Sequence, residues 1–348
     1  MKTKNYSTVR LRRLPISFQI EKRAIIVFIV LSLVLVGLSL LSLSTGTYKI
    51  SIGRVIRTLM GEGNRIEEFT VLTLRLPRIL MGILVGIGLS TSGAILQGLT
   101  RNPLAAPDVI GVNSGASLMA VLFIAIFSEK LSIYYLPLFA FFGGIAVVLL
   151  IYALAWKGGV NPLRLILIGF GIKALLSAAQ TILMIYGPIW RTNQSYIWLT
   201  GSLHATQQYQ VNIVFWWMMV LVPLLIVAVR ALNMQQVSDD ITVSLGGRLQ
   251  FIRFGLIILA ACLAGISIAF SGGIGFIGLM APHIARKLVG STYEQLLPCA
   301  GLLGAILVVL SDWIGRTWFA PLDIAAGVFT AMLGAPFFIY LFIRMRNK

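Results

Sequence analysis

Charge is what this chain lacks most. Only 11% of its 348 residues are Asp, Glu, Lys or Arg, against about 25% in an ordinary soluble domain. Acids are the scarcer sign, with 11 Asp and Glu against 28 Lys and Arg. The two cysteines, Cys262 and Cys299, lie in apolar stretches without CxxC spacing, which gives no disulfide framework and no thiolate metal site. The two histidines, His204 and His283, have no nearby ligand set; His283 reads as a packing or hydrogen-bonding residue at the membrane edge. No glycine is followed directly by lysine, so a GxxxxGK[ST] phosphate loop is excluded, and HExxH and GxSxG are missing too. The chain is therefore not read as an enzyme, no cofactor is expected on it, and any ATP is hydrolysed elsewhere.

What it has is apolar length. Hydrophobic residues make up 58% of the sequence and the mean hydropathy is +0.93, arranged in runs of about 20 residues without strand-like alternation. We read an all-α polytopic membrane protein with about ten transmembrane helices, surrounded by lipid. The net charge of +17 sits in loops and at span ends, where it sets orientation and does not point to nucleic acid. Arg10, Arg12, Arg13, Lys22 and Arg23 precede the first run, and Arg344, Arg346 and Lys348 follow the last. Both termini are thus expected in the cytoplasm, with residues 1–23 a cytoplasmic tail and 24–348 the transmembrane domain.

The first span is expected over Ala24–Leu43 and an external segment over Ser44–Thr70, with a short helix around Gly53–Met60. A Gly/Ser/Ala-rich span then runs to Leu99. Gly82 and Gly86, and again Gly111 and Gly115, stand four apart, a spacing that lets helix backbones approach closely. Between these pairs the break Arg101–Asp108, with two prolines, is expected to be non-helical, which at membrane depth is tolerated only where it is buried in protein or lines a cavity. Lys157, Arg164 and Lys173 are taken as marking the cytoplasmic side. The fifth span, Leu163–Tyr186, carries Gly169, Gly171, Ser177 and Gln180, which face either a translocation path or a neighbouring helix. Residues Gly187–Gln210 read as an aromatic loop at the outer interface. The acids near apolar regions, Asp108, Asp312 and Asp323, all fall near predicted span ends, which disfavours an ion-coupled secondary transporter, the reading from another class.

One polar stretch stands apart. Leu232–Arg253 lies between the runs Val211–Val229 and Phe254–Phe270 and holds the adjacent acids Asp239 and Asp240. It reads as an amphipathic segment followed by a Gly246-Gly247 turn, on the cytoplasmic side.

Three stretches, LRLPR at 74–78 continuing through SGAILQGLTRNPLAAPDVIGVNSGA at 92–116, GGIGFIGLMAPHIAR at 272–286, and LGAPFFIYLF at 333–342, resemble the FecCD-type permeases of ABC importers for iron-siderophores, haem and vitamin B12. The resemblance covers nearly the whole chain beyond the N-terminal tail. It implies a vitamin B12 permease-like fold in the cell membrane and ferric siderophore as the cargo, with vitamin B12 or haem as the alternative. It also implies a second permease subunit, identical or related, two cytoplasmic ATPase subunits that use the ATP, and an extracytoplasmic binding protein. On this likeness Ser238, Asp239, Asp240, Ser244, Leu245 and Gly246 are the ATPase-coupling residues, although the family commonly has Gly-Glu where this chain has Ser238-Asp239. Arg75, Arg78 and Arg316 fall where family members place arginines that meet binding-protein carboxylates.

Overall fold

The computed structural model describes residues 6–10, 17–236 and 249–346. It opens on a short antiparallel hairpin, β1 (Tyr6–Arg10) with β2 (Ser17–Glu21), Tyr6 opposite Glu21. The sequence reading treats residues 1–23 as a tail and expects no strand; SFQIE alternates polar and apolar residues over only five positions, too few to stand out. Helices then follow: α1 (Lys22–Ser44), α2 (Ile52–Leu59), α3 (Arg65–Glu68), a widened π turn (Phe69–Arg75), α4 (Leu76–Thr100), α5 (Val112–Leu122), α6 (Leu136–Ala155), α7 (Pro162–Tyr186), α8 (Ile189–Leu199) and α9 (Gln208–Gln235). The last four are α10 (Leu249–Ser271), α11 (Ile277–Val289), α12 (Tyr293–Thr317) and α13 (Ala326–Arg346).

Eight of these segments are long and apolar enough to cross a membrane. Among the described residues one shorter apolar helix, Val112–Phe127, adds to them; the expected ten is reached only by counting the 13-residue α11, which carries His283, Arg286 and Lys287. Two sequence expectations change. The stretch Gly187–Gln210 is not all loop but contains the 11-residue helix α8. Lys173 is not at the cytoplasmic end of its span; it lies close to the middle of the 25-residue α7.

The bundle is built around α4, the most buried of the spans. Its Gly and Ser residues make this possible. A Cβ on Gly86 would lie 2.4 Å from the Gly304 carbonyl of α12, and one on Gly304 would lie 2.3 Å from that of Gly86. Gly115 and Gly143 hold α5 against α6 in the same way, at 2.3 and 2.6 Å. Between such backbones, packing and polar contacts replace the hydrophobic effect, because lipid is as apolar as the side chains. Thus Ser92 donates to Ala260 O (2.7 Å), Gln97 to Leu279 O (3.2 Å) and Tyr293 to Ala94 O (3.1 Å).

α5 and α11 are short for a specific reason. After α4 the chain turns back through 101–111, and after α10 through 272–276, so both helices start inside the bundle. A Cβ on Gly278 would meet Pro107 Cδ at 2.7 Å and Leu89 O at 2.9 Å, and one on Gly93 would meet Gly278 O at 1.8 Å. Leu89 and Gly93 lie near the middle of α4, so both returns reach mid-bundle. The expectation that Arg101–Asp108 leaves the helical path holds: only Pro107–Ile110 forms a 3-10 turn, closed by Gly111 at φ +81°. The Pro107–Ile110 turn packs against α4, α6, α7 and α10 with Pro107 and Ile110 buried, and protein-covered backbone of this kind can exist at membrane depth.

Candidate functional site

Three regions carry polar chemistry in an otherwise apolar molecule: one end of the bundle, a stripe on α7, and the opposite end.

The first is built on α1. Its last-turn carbonyls have no partner within the helix, and no basic residue of its own stands there. Two arginines from elsewhere supply the donors. Arg75, at the end of the π turn, donates to Leu43 O (2.6 Å) and Tyr48 O (2.5 Å). Arg316, in the last turn of α12, donates to Ser42 O (2.6 Å), Ser42 Oγ (2.8 Å) and Thr45 O (3.0 Å). Both guanidiniums crowd Gly46, where a Cβ would stand 2.7 Å from Arg75 Nη2; its φ of +148°, which side chains rarely adopt, favours glycine there.

Arg78, one turn beyond Arg75, does different work. Its Nε donates to both oxygens of Asp312 (2.8 and 2.9 Å), and its two terminal nitrogens fork onto Asp323 (2.6 and 2.8 Å). Arg78 and Asp312 are 7% and 2% exposed, so this is a buried charge cluster joining α4, α12 and the loop before α13. His204 Nδ1 meets Asp323 Oδ2 at 2.5 Å, tying in the loop after α8. Burial alone would raise the Asp323 carboxyl, but the hydrogen bonds and charges of Arg78 and His204 outweigh it and hold it below the ordinary carboxylate range. All three arginines border one cavity of about 800 Å³, with His204 and Gln207 on its rim. The three predicted docking residues are therefore brought together, but their guanidiniums are engaged inside the chain.

On α7, Gly169, Ser177 and Gln180 fall on one helical stripe, with Lys173 between Gly169 and Ser177; Gly171 lies off it, on the face of Ala174 and Ala178. Gly171, Lys173 and Ser177 are exposed, Gln180 is half-buried, and Gly169 is covered by Val109, whose carbonyl would lie 2.1 Å from a Cβ there. The exposure belongs to the helix as a whole: α7 is far less buried than α4 or α10.

At the opposite end, the coupling residues Ser238, Asp239, Asp240, Ser244, Leu245 and Gly246 lie outside the described residues. Their flanks are braced. Asn233 Nδ2 donates to Glu294 (2.8 Å) while its Oδ1 accepts from Tyr293 N (3.0 Å), Arg101 donates to Gln235 O (2.9 Å), and Gln236 donates to Ser291 O (2.7 Å). On the return, Gln250 accepts from Val160 N (3.0 Å) and Arg253 donates to Val160 O (3.3 Å). The helix ends on either side of 237–248 are thus both anchored to the bundle. Lys22 and Arg346 lie at this same end.

In the sequence Asp312 and Asp323 are only acids near span ends, and His204 has no evident partner. Their partner is 234 and 245 residues away along the chain, and no local spacing announces such a pairing. Among the described residues, no group of three or more His, Cys, Asp or Glu is placed to hold a metal ion.

Comparison with known proteins gives one consistent answer. The family model of the FecCD transport family matches residues 33–344. The probable siderophore transport system permease protein YfhA of Bacillus subtilis is 43% identical over 94% of this chain and 97% of its own length. The achromobactin transport system permease protein CbrC of Dickeya dadantii is 41% identical, covering 90% of each. Among solved structures, a metal-chelate type ABC transporter in an inward-facing conformation superposes with a TM-score of 0.83 at 30% identity, over 91% of this chain and 99% of that one.

Proposed function

This chain belongs to the FecCD transport family and is an integral membrane permease of an ABC importer, not an enzyme; from that premise we propose that it carries a ferric siderophore into the cytoplasm. Its relatives are named for siderophore, achromobactin and iron-citrate import, and hemin import appears at lower identity. Permeases of this kind work as dimers with ATPase and binding-protein partners. The observation that carries the reading for this molecule is the exposed α7: a helix at span length with a lysine and a serine on its open face does not belong against lipid. A second permease subunit beside α7 leaves a passage along that stripe.

The arginine end is the outer face in this reading, and the end holding both described termini is cytoplasmic, in keeping with its basic residues. Among the described residues Arg75 and Arg316 hydrogen-bond carbonyl and hydroxyl oxygens and no carboxylate, and both border the outer cavity. They are suited to receive binding-protein acids, since arginine offers a rigid fork to a carboxylate. Arg78, already shared by two carboxylates, serves to hold the face together. At the cytoplasmic end the segment around Asp239 and Asp240, strung between the anchored ends of α9 and α10, passes ATPase motion to both helices. Coupling requires that it be held differently in the two ATPase states.

Cells lacking this chain and complemented with it are expected to take up a labelled ferric siderophore, and to lose that uptake when the partner ATPase is catalytically dead. Uptake that survives the dead ATPase would overturn the importer reading; uptake of labelled haem or vitamin B12 instead would keep the importer and change its cargo. Replacing Asp239 and Asp240 together with lysine is expected to leave the amount of chain in the membrane unchanged while abolishing ligand-stimulated ATP hydrolysis. Normal stimulation in that variant would move the coupling contact elsewhere.

A further inference from the structure

Lys173 is out of place for a membrane helix. At 1.5 Å per residue it lies roughly 16 Å from the first residue of α7, deeper than a lysine side chain reaches to the bilayer surface. A lysine at the centre of a lipid-facing helix costs about 2.5–3.5 kcal/mol by insertion scales. Yet Lys173 is exposed on this chain, so water or protein, not lipid, must meet it.

The acid whose charge it meets is Asp108, in the return segment after α4. The Asn113 side chain hydrogen-bonds the same carboxylate. Asn113 stands in the first turn of α5, the helix that begins four residues after Asp108. Lys173 and Asn113 both favour the charged carboxylate, and Lys173 itself remains exposed. Ser177, one turn on, continues the same exposed stripe.

We propose that Lys173 is an anion-selecting contact halfway along the passage, taking the negative charge of a carboxylate- or catecholate-type iron chelate as it crosses. This rests on the importer reading, in which the α7 stripe borders the passage between two permeases. A single ammonium, with its charge partly offset by Asp108, suits a transient stop better than a tight site, because a passage must also let its cargo leave.

The test reads the local charge without a transport substrate. With Cys262 and Cys299 replaced by alanine, a Ser177→Cys variant in its native cells is treated with two water-soluble thiosulfonates, one carrying a sulfonate and one a trimethylammonium group. The anionic reagent is expected to react faster. A unit charge about 6 Å away changes the local concentration of a singly charged reagent about threefold in water and up to about a hundredfold in a less polar passage. Adding Lys173→Met should therefore lower the anion-to-cation rate ratio at least about fivefold, and Lys173→Arg should preserve it. If neither reagent reaches the introduced thiol, the stripe does not border a hydrated passage and the proposal fails; a ratio unmoved by Lys173→Met also overturns it. Neither result touches the importer reading, which the uptake assay decides independently.

Discussion

Removing the Arg78 side chain, as Arg78→Ala, is expected to destabilise the permease by about 3–5 kcal/mol, the usual cost of leaving a buried charge without its partner. The expectation follows from the geometry: one guanidinium serves two carboxylates, and Asp312 has almost no access to water. Arg78→Lys should be intermediate, since a single ammonium cannot fork onto Asp323 and still reach both oxygens of Asp312. Asp323→Asn should cost less, because Asp323 is partly exposed, and its cost should depend on pH. Its folded carboxyl titrates below the ordinary value of 3.8, so its contribution is complete above that value and fades as pH falls further. Thermal unfolding in detergent reads all three, and an Arg78→Ala midpoint equal to wild type would show that the cluster does not hold that end of the bundle together.

The second large effect is steric. Gly86→Val or Gly304→Val places carbon where the facing backbone already stands, at 2.4 and 2.3 Å. No side-chain rotation relieves a clash with a carbonyl, so α4 and α12 must move apart. Overpacking ordinarily costs about 1–3 kcal/mol, and here the pair is the spine of the bundle. Either variant should fail to yield monodisperse protein, whereas Gly53→Ala in α2, with nothing within 4 Å, should be neutral or slightly stabilising. A well-behaved Gly86→Val protein would mean that the two helices are not in backbone contact.

The sequence carried much of this architecture because lipid imposes a simple code. Long apolar runs become helices, as at Lys22–Ser44 and Leu249–Ser271, and Gly86 and Gly115 mark close approaches, though only their partners Gly304 and Gly143 reveal which helices meet. The proline-rich break at Arg101–Asp108 was legible as non-helical. Its return to mid-bundle was not, because depth is a property of neighbours such as Leu89 and Gly278. The same reason explains Lys173: a basic residue near a run of apolar ones looks like a boundary marker until the helix is seen to extend about equally on both sides of it. Arg75, Arg78 and Arg316 were legible as a group, but not the division among them, since that depends on Asp312, Asp323 and the carbonyls of Ser42 and Leu43.

α1 is apolar around nearly its whole circumference and buries only Ala24, Ser42 and Leu43. Beyond Lys22 and Arg23 at its start, nothing in its own composition gives it a ruler at the other end: slid along its axis by a residue or two, its apolar part would present lipid with much the same surface. The grip of Arg75 and Arg316 on its final carbonyls supplies the missing index mark. Lengthening or shortening α1 should therefore leave Ser44 where it is and displace Lys22, so that the difference is absorbed at the far end of the helix.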